Sequence, residues 1–237
     1  FFLNKSWLRI FIKMINEKHR LIAFDLDGTL IDSADVVLAI INHQRLGMQK
    51  QQLKKCDLYP WLSLGGLDLI SKALDVPIES CNDYLKVFRD QYRVIDTPKN
   101  SLFPGAVEFL KFLKNNNYLM ALITNKPRDL VNKIFSETEL GNFFDFSLAG
   151  DDLSTKKPNP CNIYHCCNYF NIEAREMVLI GDSSIDQKTA MNSSIDFIFF
   201  NGGYNDGVDL ESVDCSFNSY ETFLNNLKGL KVKNELL

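Results

Sequence analysis

Hydrophobic and polar residues along this chain fall into two patterns, short unbroken apolar runs and longer stretches with helical spacing. The apolar runs predict strands at residues 21–24, 118–123, 146–149, 178–180 and 197–200. The helical spacing predicts helices at residues 33–46, 67–74, 84–92, 107–113, 128–137, 160–170 and 186–191. Because the strands alternate with helices and carry no polar alternation of their own, we expect an α/β fold with a Rossmann-like parallel sheet and helices on both faces.

The stretch between residues 32 and 103 has a helical pattern and contains no predicted strand. We therefore expect an α/β core domain made of residues 19–31 and 104–237, with a helical domain, residues 32–103, inserted into it. Residues 1–18 are interpreted as an N-terminal extension outside the fold. Their apolar side chains leave open an anchor lying on a membrane surface, but the segment is too short and too charged to span one.

Composition excludes some classes of function. The chain has 237 residues, of which 46% are hydrophobic, and a net charge of -4 with lysines and arginines spread along its length. This distribution provides no basic patch for nucleic acid, and no stretch approaches the length of a transmembrane helix. We therefore expect neither a nucleic-acid partner nor a membrane partner.

The six cysteines form no C-x-x-C pair, and no secretory signal is recognisable. We therefore expect reduced thiols in a cytoplasmic protein. Cys161 and His165 would share one face of a predicted helix that also carries Cys166 and Cys167, which leaves a soft-metal site open. Buried structural cysteines are the default interpretation.

Two aspartates, Asp25 and Asp27, directly follow the apolar run at residues 21–24. Residues two apart on an extended chain point the same way, so both carboxylates should face one pocket at the carboxyl end of a strand. Their repulsion would raise the pKa of one of them unless a cation lies beside them, which indicates a Mg²⁺ site. Gly28 would let the backbone turn tightly and present N–H groups to an anion. The alternative is a pair of solvated acids before a turn.

Polar residues also follow the strands at 118–123 and 146–149. The Thr124 hydroxyl and the next backbone N–H, that of Asn125, could hold a phosphate oxygen, although Thr-Asn is also a common helix start. Lys157 lies beside Pro158 at a helix start, where it would be a fixed cation that screens phosphate charge. The alternative for Lys157 is a solvated basic turn.

The strand at 178–180 leads into a second pair of acids, Asp182 and Asp186. If this strand neighbours the first one, Asp182 emerges beside the pair of Asp25 and Asp27. A third carboxylate would complete the oxygen-only coordination that Mg²⁺ prefers. Asp186, one turn later, would orient Lys157 or a metal-bound water.

Four sequence blocks together resemble the motifs of the haloacid dehalogenase superfamily, and the resemblance extends from residue 20 to about residue 225. The blocks are DLDGTL at 25–30, TNK at 124–126, KP at 157–158 and GDSSID at 181–186. An acid at Asp27 implies phosphoryl transfer, because the carbon–halogen hydrolases of this superfamily lack it.

The resemblance also implies a role for each site residue. Asp25 would attack phosphorus and form an aspartyl phosphate, while Asp27 would protonate the leaving group and then activate water. Mg²⁺ would be held by the side chains of Asp25 and Asp182 and by the main-chain carbonyl of Asp27. The phosphoryl oxygens would be held by Thr124, the Asn125 amide and Lys157.

The inserted helical domain corresponds to the mobile cap of that superfamily. Segments at 31–33, 61–70 and 102–105 are similar to phosphoglycolate phosphatases. Gly65 and Gly66 would let a cap loop reach into the site and choose the substrate, the alternative being an ordinary helix-start turn. The chain departs from that family at Leu64-Gly65-Gly66, where a Gly-Asn-Gly-like loop is usual, and at Ser193-Ser194, where Ala-Gly is usual.

The resemblance therefore implies a Mg²⁺-dependent phosphatase, either a monomer or a homodimer, whose partner is a small phosphorylated metabolite. The best single candidate for the substrate is 2-phosphoglycolate. A sugar phosphomutase of the β-phosphoglucomutase type is the first alternative. A non-catalytic regulatory protein that binds a phosphometabolite is the second, although intact Asp25, Asp27, Lys157 and Asp182 argue against it.

Overall fold

The computed structural model describes residues 18–98, 100–213 and 215–225. Of the predicted N-terminal extension only Lys18 is described, so the interpretation of that segment, including a surface anchor, lies outside the described residues. None of the helices in the described ranges has the length and apolar character needed to cross a membrane.

The core is one parallel sheet of six strands in the order β3-β2-β1-β4-β5-β6. The strands are β1 Leu21–Phe24, β2 Leu119–Ile123, β3 Phe146–Leu148, β4 Met177–Gly181, β5 Asp196–Phe200 and β6 Cys215–Phe217. The predicted α/β class with a parallel sheet is confirmed. The prediction that β5 is the last strand was wrong, because β6 has only three residues and its middle residue, Ser216, is exposed, which leaves no apolar run to detect.

Eight α-helices have bounds within the described ranges. They are α1 Ala34–Gly47, α2 Lys55–Leu62, α3 Gly66–Leu74, α4 Cys81–Val94, α5 Ala106–Asn115, α6 Arg128–Thr138, α7 Cys161–Phe170 and α8 Ser184–Ser193. Seven of these were predicted, and none of their ends is shifted by more than three residues. Helix α2 was missed, because it contains Pro60 and buries only Leu58, so its sequence shows no apolar stripe.

Side chains of the central strand alternate between two apolar layers. Ile22 and Phe24 pack in the layer that includes α5 and α6, and Leu21 and Ala23 pack in the layer that includes α7 and α8. A strand buried on both faces needs apolar residues at every position, which is why β1 reads as an unbroken apolar run.

Helices α1 to α4 surround a third apolar cluster, which Leu130 of α6 also joins. The chain enters and leaves this helical region side by side, because Asp32 N–H donates to the Ser101 carbonyl (2.7 Å) and Phe103 N–H donates to that of Leu30 (3.0 Å). The region also contacts the core through an ion pair between Arg93 and Asp129 (2.6 Å). The division into a core domain and a domain at 32–103 stays a prediction.

Aromatic rings join the end of the described chain to the sheet. Tyr220 lies 4.8 Å from Phe200, 5.0 Å from Phe217 and 5.5 Å from Phe109, measured between ring centroids. Its fully buried hydroxyl donates a hydrogen bond to the Thr29 carbonyl at 3.0 Å. This contact ties the C-terminal helical turn to the loop that follows β1.

Replacing Tyr220 with Phe should lower the free energy of unfolding by about 1–2 kcal/mol, because the buried Thr29 carbonyl loses its donor. Tyr220→Ala, which removes the ring as well, should cost about 3–5 kcal/mol. Urea-induced unfolding followed by circular dichroism measures both. Tyr164→Phe is the control, since Tyr164 is 45% exposed, and equal losses for the two Tyr→Phe variants would contradict the role of this hydrogen bond.

Candidate active site

The carboxyl ends of the three central strands meet at one edge of the sheet. Phe24 of β1 pairs with Leu122 of β2 on one side and with Ile180 of β4 on the other. The residues that follow these strands therefore emerge next to one another. This arrangement brings the predicted residues Asp25, Thr124 and Asp182 to one place.

Lys157 lies between two carboxylates at this edge. Its Nζ is 2.8 Å from Asp25 Oδ1 and 2.6 Å from Asp186 Oδ1, and all three side chains are buried. Burial alone would lower the pKa of Lys157, but Asp186 and Asp25 more than offset it and hold that pKa above its usual value. The ammonium group is therefore a fixed positive charge beside Asp25.

Asp182 lies next to this pair and accepts two hydrogen bonds, one from Thr29 Oγ1 and one from the Tyr204 N–H, both 2.8 Å long. One oxygen each from Asp25, Asp182 and Asp186 lies within 4.8 Å of the others. Among the described residues this is the one such group of possible metal ligands. The structure thus places Asp186 with Asp25 and Asp182, where the sequence had suggested only an orienting role for it.

Burial and close packing of the carboxylates shift their proton affinity. Burial raises the pKa of Asp25 from its ordinary value of 3.8 to about 7, an effect that Lys157 opposes and that Asp186 and Asp27 reinforce. Burial, together with Asp186 and Asp25, also raises the pKa of Asp182 well above its usual range. Three buried acids with one lysine form a site that a cation would stabilise.

The Asp27 carboxylate contacts different residues from the Asp25 carboxylate. Its carboxylate lies 3.0 and 3.1 Å from Lys126 Nζ and accepts a 2.6 Å hydrogen bond from Ser33 Oγ. Lys126 Nζ also donates to the Tyr92 hydroxyl (3.0 Å) and lies 4.2 Å from the centre of that ring. Tyr92 belongs to α4, so a residue of the helical region takes part in holding Asp27.

Asp32 and Ser33 precede α1, and their side chains make different contacts. Aspartate and serine are both common helix caps. Asp32 Oδ1 accepts the Ala34 N–H at 3.0 Å, whereas the Ser33 side chain makes no cap hydrogen bond and contacts Asp27. The Asp32 side chain therefore accepts the first N–H group of α1, and the Ser33 side chain contacts Asp27 in the site.

Gly28 leaves space for the Asp182 carboxylate, and its own N–H group already has an acceptor. Its N–H donates to the Ile31 carbonyl at 2.8 Å, and its backbone has a φ of 82°. A Cβ at this position would collide with the Asp182 carboxylate. The predicted contact between the Gly28 N–H and an anion is therefore not supported, because that group already has an acceptor.

Asn125 and Thr124 line the same cavity as Asp25 and Asp27. The Asn125 side chain donates to the Lys157 carbonyl (3.0 Å) and accepts the Lys157 N–H (2.9 Å). This two-way contact fixes the backbone that carries Lys157. The side chain of Asn125 is thus committed to positioning Lys157, and Thr124, 2% exposed, keeps its hydroxyl beside the cavity.

Sequence reasoning missed the loop that follows β5. A Cβ on Gly203 would collide with the Gly28 carbonyl and with Asp182, so this loop packs directly on the site. The next residue, Tyr204, donates its N–H to Asp182, and its hydroxyl accepts the Ser33 N–H at 2.9 Å. Gly202 and Gly203, close to the carboxyl end of β5, are the sequence signal that could have indicated this loop, because ligands bind at the carboxyl ends of parallel strands.

The site opens into one cavity between the core and the helical region, with a volume of about 100 Å³. Gly65 and Gly66, which both have positive φ, line the cavity from the start of α3, and Asp25 and Asp27 line it from the core.

The soft-metal alternative on α7 finds no support in the described part of the chain. Cys166 and Cys167 are buried there, as the default interpretation has it, while Cys161 is exposed.

Comparison with known proteins points to one family. The family model described as haloacid dehalogenase-like hydrolase matches residues 22–200. A phosphoglycolate phosphatase from Psychrobacter arcticus is 32% identical over 204 residues, which cover 82% of this chain and 89% of that relative. A phosphoglycolate phosphatase from Colwellia psychrerythraea is 29% identical over 223 residues, which cover 91% and 98% of the two chains.

A crystal structure described as a predicted phosphoglycolate phosphatase from Haemophilus somnus 129PT superposes with a TM-score of 0.75. That protein is 26% identical, and the match covers 87% of this chain and 97% of the other. The matched segment of the family model includes all four motif blocks, so the resemblance inferred from them is confirmed. The chain belongs to the haloacid dehalogenase-like hydrolase family.

Proposed function

We propose that this phosphatase hydrolyses 2-phosphoglycolate with Mg²⁺ and forms an aspartyl phosphate on Asp25. The proposal is carried by the position of Asp25 in a small cavity, 2.8 Å from buried Lys157, with Asp27 lining the same cavity. The similar proteins from Psychrobacter arcticus and Colwellia psychrerythraea, both named phosphoglycolate phosphatase, support this choice of substrate.

In the first step the Asp25 carboxylate attacks phosphorus, and the bond between phosphorus and the glycolate oxygen breaks. Lys157 and the Thr124 hydroxyl would bind the phosphoryl oxygens, a role supported by the cavity that both residues line together with Asp25. Asp27, held in position by Ser33 and Lys126, gives its proton to the departing glycolate oxygen. The products of this step are glycolate and the aspartyl phosphate on Asp25.

In the second step water attacks the phosphorus of the aspartyl phosphate. Asp27, now a carboxylate, takes a proton from that water, and the bond between phosphorus and the Asp25 oxygen breaks. Inorganic phosphate leaves, and both aspartates return to their starting state. The same residue thus serves as acid and then as base, which requires that it stay within reach of the reacting oxygen in both steps.

The acidic cluster fits Mg²⁺ by its chemistry. The buried carboxylates of Asp25, Asp182 and Asp186 outnumber Lys157, and hard oxygen ligands are those that Mg²⁺ takes. Asp25 Oδ1 is buried and accepts no hydrogen bond of regular geometry, although Lys157 lies close to it. When bound, the ion would neutralise charge on the transferred phosphoryl group.

The cavity size favours a small leaving group. Its volume of about 100 Å³ lies below the range of about 300–1,000 Å³ that is typical of pockets for drug-sized ligands. Glycolate, with a two-carbon chain, suits this space better than a hexose. We therefore prefer hydrolysis of 2-phosphoglycolate to the transfer of a phosphoryl group between sugar hydroxyls.

Asp25→Asn should lower phosphate release from 2-phosphoglycolate with Mg²⁺ by about 10⁴-fold or more, because no other group can become the covalent intermediate. A colorimetric phosphate assay measures this loss. Asp83→Asn, an exposed aspartate on α4, is the matched control and should retain activity. Activity that survives Asp25→Asn would exclude Asp25 as the nucleophile.

Asp27→Asn should lower kcat for 2-phosphoglycolate by about 10²–10⁴-fold, the usual contribution of a positioned acid or base. Aspartyl phosphate formation from p-nitrophenyl phosphate should be affected much less, because nitrophenolate leaves without a proton. Single-turnover measurement of nitrophenol release isolates that step. Equal losses in the first step for both substrates would contradict the role of Asp27 as an acid.

Metal-free protein should lose stability as the pH rises from about 4 to about 7. The pKa of Asp25 is raised from 3.8 to about 7 in the folded protein, and that of Asp182 is also raised. Between these pH values the folded state keeps protons that the unfolded chain has released, so the free energy of unfolding falls as pH rises. Thermal unfolding in a chelator at several pH values measures this slope, which Asp182→Asn should reduce.

Adding Mg²⁺ should raise the melting temperature more at about pH 7.5 than at about pH 5.5, because the ion binds the ionised carboxylates and competes with protons. Asp182→Asn should abolish most of the shift at the higher pH. A shift of equal size at both pH values, or none in the unaltered protein, would count against a Mg²⁺ site formed by these acids.

A further inference from the structure

One face of helix α4 forms part of the cavity wall. Leu85, Phe88, Arg89 and Tyr92 all line the cavity, and their spacing of three and four residues puts them on the same side of the helix. Three of these side chains are apolar or aromatic. Arg89 is therefore a single cation on the face of α4 that points toward the enclosed site.

Arg89 makes no ion pair and no hydrogen bond with any residue in the described ranges. Its neighbour one turn later, Arg93, shows the contrast, because it is paired with Asp90 at 2.5 Å and with Asp129 at 2.6 Å. A half-buried guanidinium beside apolar side chains is costly unless a negative group approaches it. The position of Arg89 on the cavity wall thus suits an anionic ligand.

A second polar group in the same wall also lacks a partner. Ser63 lines the cavity, and its Oγ is fully buried without any hydrogen-bond partner. Ser63 lies two residues before Gly65, in the turn where α3 begins without a side-chain cap. The helical region therefore presents one cation and one unpaired hydroxyl to the cavity, two groups that together suit a carboxylate.

The core supplies a different set of groups on the opposite side. Lys157, Thr124 and Asp25 face the phosphoryl group in the proposed reaction, and Lys157 is occupied by Asp25 and Asp186. A substrate anchored there by its phosphoryl group would direct its leaving group toward α4. In a cavity of about 100 Å³, a short leaving group brings its far end to that wall.

We propose that Arg89, with Ser63, binds the carboxylate of the leaving group and so selects substrates in which a phosphate ester and a carboxylate are separated by a short chain. This inference rests on the proposed function for the identity of the substrate. It adds a specificity-determining site in the helical region that is separate from the groups that act on phosphorus.

Kinetics with a matched pair of substrates tests the proposal. The pair is 2-phosphoglycolate and 2-hydroxyethyl phosphate, which has the same chain length and no carboxylate. Arg89→Met should lower kcat/KM for 2-phosphoglycolate by roughly 10- to 100-fold, mainly through KM, because a charge-assisted bidentate contact is lost. It should leave kcat/KM for 2-hydroxyethyl phosphate unchanged, and Arg89→Lys should restore part of the loss.

Two variants serve as controls. Lys86→Met removes an exposed cation of α4 that does not line the cavity, and it should change the kinetics of neither substrate. Lys156→Met removes the exposed core lysine that also lines the cavity. A selective loss with Lys156→Met but not with Arg89→Met would assign the carboxylate to the core side and overturn the proposal, as would equal losses on both substrates with Arg89→Met.

Binding separates this proposal from the proposed function. Calorimetric titration of 2-phosphoglycolate into the Asp25→Asn protein should show weaker binding when Arg89→Met is added, with no change for 2-hydroxyethyl phosphate. If the unaltered protein releases no phosphate from 2-phosphoglycolate but its binding depends on Arg89, the proposed function fails and the carboxylate site stands. If hydrolysis occurs and Arg89→Met does not discriminate between the ligands, the function stands and the carboxylate site is wrong.

Discussion

The site depends on one buried interaction, that of the Lys157 ammonium with the carboxylates of Asp25 and Asp186. Three acids around one lysine leave an excess of negative charge at a buried place, and burial, reinforced by repulsion between the carboxylates, raises the pKa of Asp25 and Asp182. The folded protein tolerates this because the strands β1, β2 and β4 are fixed by the sheet. This excess of negative charge favours binding of a metal ion. In the proposed reaction that ion would also offset the negative charge of the phosphoryl group.

Hydrogen bonds from the surrounding loops hold Lys157 and Asp182 in position. Asn125 bonds the backbone of Lys157 from both sides, and Thr29 with the Tyr204 N–H fixes Asp182. Gly28 and Gly203 allow the chain to pass so close to Asp182 that no side chain fits. Several residues of the motifs thus hold another residue in position, which suits the proposed reaction because that reaction depends on geometry and preorganised charge.

Asp27 connects the core with the helical region. Ser33 and Lys126 hold its carboxylate, and Lys126 in turn contacts Tyr92 of α4. The same helix carries Arg89 one turn earlier on the cavity wall. In the proposed reaction one helix would therefore both support the acid that protonates the leaving group and bind the far end of that leaving group, so that substrate choice and proton transfer share a structural element.

The sequence by itself determined the α/β class, five of the six strands and the main chemical groups, because buried parallel strands are unbroken apolar runs and their carboxyl ends are where ligands bind. Asp25, Asp27, Lys157 and Asp182 could be named on that basis. Only the tertiary structure decided which atoms meet. It placed Asp186 among the possible metal ligands and showed that the Gly28 N–H donates within its own turn. It also brought Lys126, Tyr92 and Tyr204 to the site. These side chains come from distant parts of the chain, and no local pattern specifies the directions in which they point.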